Sequence, residues 1–148
     1  MEPHGFLAEV HDVSLDSLTP DPALARALAR LAGRRLVFTN ASSVHAVRTL
    51  EHLGLTDLFD EVFHLEASEM TPKPQAQAYA SLMRIHGVTP TTSAFFEDTL
   101  ANLEPAAALG MTTVLVRPDA FACASPFVHY HTDDLTAFLN AARTKETV

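Results

Sequence analysis

The chain has 148 residues, about the length of one domain. Its 47% hydrophobic content belongs to a folded globular protein, and a net charge of −8 argues against a nucleic-acid polymer as the main partner. No apolar run approaches the roughly 18 residues of a membrane span, the start Met1-Glu2-Pro3-His4-Gly5 lacks the layout of a signal peptide, and Cys123 is the only cysteine, so a cytoplasmic location is expected.

In chain order, short apolar runs alternate with amphipathic stretches, as in parallel α/β units. Asp21-Pro22 opens a helix as N-cap and first helical residue, Leu24, Leu28 and Leu31 continue it, and Gly33 ends it. Leu36-Val37-Phe38 is apolar on both faces, which suits a buried parallel strand, and it stops at Thr39-Asn40. Residues 43–53 predict a second helix with Val44, Val47 and Leu50 facing the core and Gly54 past its end. Val62-Phe63-His64-Leu65 predicts the next strand. Thr71-Pro72-Lys73-Pro74 excludes regular helix, because each proline pushes its predecessor to extended geometry. Further helices are expected over residues 75–86, 100–109 (with Pro105 inside) and 134–143, and strands at Ala94-Phe95-Phe96 and over residues 112–116. Residues 118–130 read as loop, with room for a short strand.

Ligands of such sheets bind beyond the carboxyl ends of the strands, where three groups of residues stand out. The hydroxyl of Thr39, with the backbone N–H groups of Asn40 and Ala41 at a helix entry, has the make-up of a phosphate site; the plainer reading is that Thr39 or Ser42 caps the helix. Lys73, braced between prolines, is either a fixed cation that neutralises an anion or an ordinary solvated lysine. Glu97-Asp98 offers hard oxygen donors suited to Mg²⁺, unless Asp98 merely caps the following helix. Asn102 either orients those carboxylates or lies on the helix surface. His129-Tyr130-His131 would place two imidazoles on one strand face, but no third metal ligand is evident, and no serine elbow or glycine-rich nucleotide loop occurs.

Together, Leu36-Val37-Phe38-Thr39-Asn40, Pro72-Lys73-Pro74 and Phe95-Phe96-Glu97-Asp98-Thr99 resemble, in order and setting, the second, third and fourth motifs of the haloacid dehalogenase superfamily. Val10-His11-Asp12-Val13, Leu18-Thr19-Pro20-Asp21-Pro22 and Gly110-Met111-Thr112-Thr113 are similar to its pyrimidine 5′-nucleotidase branch. The resemblance implies a three-layer, Rossmann-like α/β core with a parallel sheet. It makes Thr39 the phosphate-binding hydroxyl, Asn40 a neighbour in that pocket, Lys73 the stabilising cation, and Asp98 with Glu97 the Mg²⁺ site. The implied partner is a small phosphorylated metabolite or a nucleotide.

Family members attack phosphorus with the first aspartate of an N-terminal Asp-x-Asp segment and use the second as acid and base. No Asp-x-Asp occurs in this sequence: Asp12-Val13-Ser14 and Asp16-Ser17-Leu18 both lack the second aspartate. Residues 1–20 resemble the link from a helical cap back to the core, and residues 21–148 the core itself, with the central first strand and most of the cap missing. Three expectations follow. The chain is a phosphomonoesterase core that turns over only at background rate, the alternative being a non-catalytic phosphate-binding or assembly module. Mg²⁺ binds weakly or not at all. Strand edges left open by the missing strand favour a homodimer over direct pairing of the two flanking strands or recruitment of residues 6–13. A dehalogenase is the less favoured reading, since its metal-free chemistry has no use for Glu97-Asp98 as a Mg²⁺ site.

Overall fold

A computed structural model describes Leu15 and residues 17–146. The resemblance at residues 10–13, the candidate strand 6–13, and Asp12 and Asp16 all lie outside the described residues. The chain divides into two compact units, one built on residues up to Met70 and the other on Thr71–Ala142.

In the first unit, α1 (Pro22–Ala29) begins as its sequence dictates. Asp21 accepts hydrogen bonds from Ala23 N and Leu24 N at 3.1 Å, and Pro22 needs no donor partner at that position. Strand β1 (Leu36–Phe38) pairs in parallel with β2 (Glu61–Phe63), Val37 opposite Val62. Arg35 pins the entry to β1: its backbone N–H donates to Asp60 Oδ2 at 2.8 Å and its Nε to the Leu58 carbonyl at 2.6 Å. The second strand starts one residue before, and ends two residues before, the run read from sequence. The chain turns there instead, with Ala67 N–H donating to His64 Nδ1 at 3.1 Å and Leu65 N–H to the Ala41 carbonyl at 3.0 Å.

Helix α2 (Ser43–Leu53) closes on Gly54 in the left-handed conformation at φ 69°. Its inward face differs from the expected one. Val44 and Val47 are 55% and 45% exposed, whereas Ser42 and Ala46 are buried. The anchor is the helix start, where Ser42 Oγ accepts from His45 N and Ser43 is held by Glu66. That fixes the rotation, so the inward stripe runs through Ser42, Ala46, Thr49, Leu50 and Leu53 at helical spacing.

In the second unit, β3 (Ala94–Glu97), β4 (Thr112–Val116) and β5 (Tyr130–Thr132) form a parallel ladder in that order. Its register aligns Phe96, Val114 and Tyr130 in one row and Glu97, Leu115 and His131 in the next. Successive side chains point to opposite faces, and different helices cover the two. Leu103 of α4 (Leu100–Ala108) packs with Leu115, Ala120 and Val128 on one face, with Phe95 and Leu100 beside them. On the other, Phe138 of α5 (Leu135–Glu146) meets the rings of Phe96 at 5.8 Å and Tyr130 at 5.9 Å. Helix α3 (Ala76–His86) ends at left-handed Gly87 and buries Ala78, Tyr79 and Leu82.

The stretch before β5 is not plain loop. Thr113, wholly buried, donates through Oγ1 to the Phe127 carbonyl at 2.6 Å and accepts from His129 N at 3.1 Å, while its own N–H donates to His129 Nδ1 at 2.9 Å. His129 thereby serves as a strand acceptor.

The burial pattern sets a contrast measurable by urea denaturation. Leu103→Ala, in the core, is expected to lose about 2–5 kcal/mol. Val47→Ser, on the exposed face of α2, is expected to change stability by no more than about 0.5 kcal/mol.

Candidate functional site

Thr39 directly follows β1 and its N–H donates to the Phe63 carbonyl at 3.0 Å, extending the ladder by one bond. Its Oγ1 accepts from Ala41 N at 3.0 Å. Capping of α2 falls to Ser42, so the two readings of this threonine separate: Thr39 shapes the loop and does not cap the helix. An accepted bond from Ala41 leaves the hydroxyl proton to be donated elsewhere.

The helix entry itself already holds an anion. Glu66 Oε2 accepts from Ser43 N at 2.9 Å, Oε1 accepts from Ser43 Oγ at 3.3 Å, and His64 Nδ1 lies 3.2 Å from Oε2. Burial opposes ionisation of Glu66, but the backbone N–H groups of Glu66 and Ser43, the nearby His64 and the Ser43 hydroxyl outweigh it and hold its pKa below the usual glutamate range. Sequence reading missed this residue, because a partner 23 positions away leaves no local signal.

In the second unit, Lys73 lies in the turn leading to α3, and its Nζ contacts Glu97 Oε2 at 2.7 Å. Their side chains are only 6% and 9% exposed, so the solvated-lysine reading falls. The ammonium also sits 5.4 Å from the centroid of the Phe95 ring. The other oxygen of Glu97 accepts from Thr99 N at 3.2 Å. Asp98 is exposed, with Thr99 Oγ1 donating to its Oδ1 at 3.4 Å. It does not cap α4, whose N-cap is Thr99, with no side-chain capping bond.

The expected acidic pair therefore divides: Glu97 engages Lys73, and Asp98 faces outward as the carboxylate open to a ligand. Arg117, just past β4, reaches Asp119 Oδ1 through Nε at 2.9 Å and the Asp98 carbonyl through Nη1 at 3.5 Å. Asn102 is buried, and its carbonyl accepts the Tyr79 hydroxyl at 2.5 Å. Burial, and secondly the charge of Glu97, push the Tyr79 phenol above its ordinary range. The sequence reading of residues 75–86 as a helix singled out neither Tyr79 nor its place beside the acidic pair. Among the described residues, no three His, Cys, Asp or Glu side chains come together as a metal cage.

These features sit in a sequence whose residues 5–110 match the family model for haloacid dehalogenase-like hydrolases. The chain belongs to that family. It is 34% identical over 97 residues to the (S)-2-haloacid dehalogenase of Xanthobacter autotrophicus, covering 64% of this chain and 38% of that protein. It is 33% identical over 123 residues to the fructose-1-phosphate phosphatase YqaB of Escherichia coli K12, covering 79% of this chain and 64% of that one. The solved L-2-haloacid dehalogenase of X. autotrophicus shares the fold at a TM-score of 0.68 and 22% identity, over 84% of this chain and 61% of that one. The chain thus spans less than two thirds of the length of these relatives. Among the described residues no helix is long and apolar enough to cross a membrane.

Two measurements check this geometry. Lys73→Met leaves the Glu97 carboxylate buried without its partner and should cost about 3–5 kcal/mol by denaturant unfolding, with part regained in Lys73→Met/Glu97→Leu. For Glu66, a folded pKa below the unfolded one means that its stabilisation is complete above the usual glutamate range and is lost as pH falls through the folded value. Unfolding curves across acid pH should therefore be flatter in Glu66→Gln than in the parent.

Proposed function

We propose that this chain is the phosphate-handling core of a phosphomonoesterase acting on a small phosphorylated metabolite. The observation that carries the reading is the desolvated Lys73–Glu97 pair beside outward-facing Asp98 at the carboxyl end of β3. A buried ammonium held at one point suits charge stabilisation of a phosphoryl group. In this reading, as the family resemblance implies, Thr39 is a phosphate-binding hydroxyl with Asn40 in its loop, and Lys73 is a stabilising cation. Likeness to a fructose-1-phosphate phosphatase supports a phosphorylated small molecule, and a sugar phosphate fits at least as well as the nucleotide suggested by the pyrimidine 5′-nucleotidase-like motifs.

Mg²⁺ fits this donor set in a limited way. Asp98 would hold it, with water and substrate oxygens completing the shell and Glu97 contributing only by leaving Lys73. When bound, the ion would offset negative charge on the substrate.

Likeness to haloacid dehalogenases favours a second reading, attack on a halogenated carboxylic acid, in which Lys73 would hold the substrate carboxylate. Calorimetry with inorganic phosphate and with 2-chloropropionate separates the two. The phosphatase reading expects phosphate to bind and both Lys73→Ala and Thr39→Ala to weaken it at least about tenfold, the effect of one charge-assisted hydrogen bond. Binding of chloropropionate alone would favour the dehalogenase. With no Asp-x-Asp in the sequence, hydrolysis of an aryl phosphate is expected near background. Strong Mg²⁺-dependent turnover, lost in both variants, would show that another residue of this chain attacks phosphorus.

A further inference from the structure

The buried phenol of Tyr79 has no part in the chemistry above, yet it closes a ring of contacts around the candidate site. Its ring stands edge-on to Phe95, with centroids 6.1 Å apart and planes at 89°. Phe95 in turn lies 5.4 Å from the Lys73 ammonium, which contacts Glu97 at 2.7 Å. The second oxygen of Glu97 accepts from Thr99 N at 3.2 Å, the Thr99 carbonyl accepts from Asn102 N at 3.0 Å, and the Asn102 carbonyl accepts the Tyr79 hydroxyl at 2.5 Å. The circuit is complete, and Asp98 lies on it between Glu97 and Thr99.

We propose that Tyr79 is a positioning residue, which fixes the Lys73 ammonium and the turn carrying Asp98 relative to each other. The geometry is independent of the proposed phosphate chemistry, but its purpose rests on that reading. Core filling alone would be served by phenylalanine, because a buried hydroxyl is costly unless it is bonded. Tyrosine supplies two arms from one rigid ring. The aromatic edge sets Phe95 under the lysine, and the hydroxyl adds a second donor to a first-turn carbonyl of α4. Without the hydroxyl, the turn from Glu97 to Asn102 keeps its short-range bonds, the Lys73 contact and the Arg117 contact to the Asp98 carbonyl, but loses the Tyr79 tie to α3. Glu97, and with it Lys73, then gains freedom to move.

The test uses the two arms separately, with a core control on the same helix. Tyr79→Phe removes the hydroxyl and keeps the ring, Phe95→Leu removes the ring beneath the ammonium, and Leu82→Ala disturbs buried packing of α3 outside the circuit. Trace acetylation with acetic anhydride, normalised to a free lysine derivative and read by peptide mass spectrometry, reports how protected Lys73 is. Tyr79→Phe and Phe95→Leu should each raise Lys73 acetylation about fivefold, the equivalent of one neutral hydrogen bond, with Leu82→Ala near the parent value. Affinity for inorganic phosphate should fall by a similar factor in Tyr79→Phe. Unchanged Lys73 reactivity in Tyr79→Phe, or an equal rise in Leu82→Ala, would overturn the positioning role. If the parent binds no phosphate while Lys73 reactivity still follows Tyr79, the phosphate reading falls and the positioning role stands.

Discussion

Lys73 and Glu97 meet out of water, and much of the second unit is arranged around that fact. Burying an ammonium and a carboxylate costs several kcal/mol each, and only close geometry with further hydrogen bonds offsets it. The 2.7 Å contact provides the first, and Thr99 N–H on the other Glu97 oxygen the second. One partner is the last residue of a strand and the other stands in the turn before a helix, so the pair ties the end of β3 to the entry of α3. Asp98 follows in the bend just past the strand, where its carboxylate meets solvent.

The first unit repeats the theme with different chemistry. Glu66 holds the N-terminus of α2 as Glu97 holds the ammonium, in each case with a partner more than 20 residues away in sequence. At the helix, the acceptor serves partial charges on backbone N–H groups rather than a full cation. The consequence for Thr39 is specific. Ser43 N–H is already taken by Glu66, so any anion approaching the loop after β1 depends more on the Thr39 hydroxyl than a free helix end would require.

What the sequence disclosed followed short-range physics. Asp21-Pro22 announced a helix start, Gly54 and Gly87 announced helix ends, and the apolar runs at residues 36–38 and 112–116 announced strands, all as observed, although only the second is buried at its centre and the first is partly buried. The positions of Thr39, Lys73 and Asp98 at turns and strand ends were legible for the same reason. The inward face of α2 was not. Leu50 faces inward as its spacing implies, but Val44 and Val47 fit a helical period with it as well as Ala46 and Leu53 do, and the choice was made by Ser42, Ser43 and the distant Glu66. The separate fates of Glu97 and Asp98 were hidden likewise, since adjacent acids look equivalent until a lysine 24 residues away selects one.

Thr113 governs something a strand cannot settle by backbone pairing alone. Parallel ladders repeat along their length, and a slip of one residue would exchange every inward side chain of β5 for an outward one. Three residues of Tyr130–Thr132 offer few bonds to resist it. By clamping the Phe127 carbonyl and both His129 groups, Thr113 indexes the incoming chain before the strand begins. Tyr130 is thereby delivered to the Phe138 side, and His131 to the row of Leu115 and Glu97. A single hydroxyl thus acts as the zero mark from which the last strand is counted.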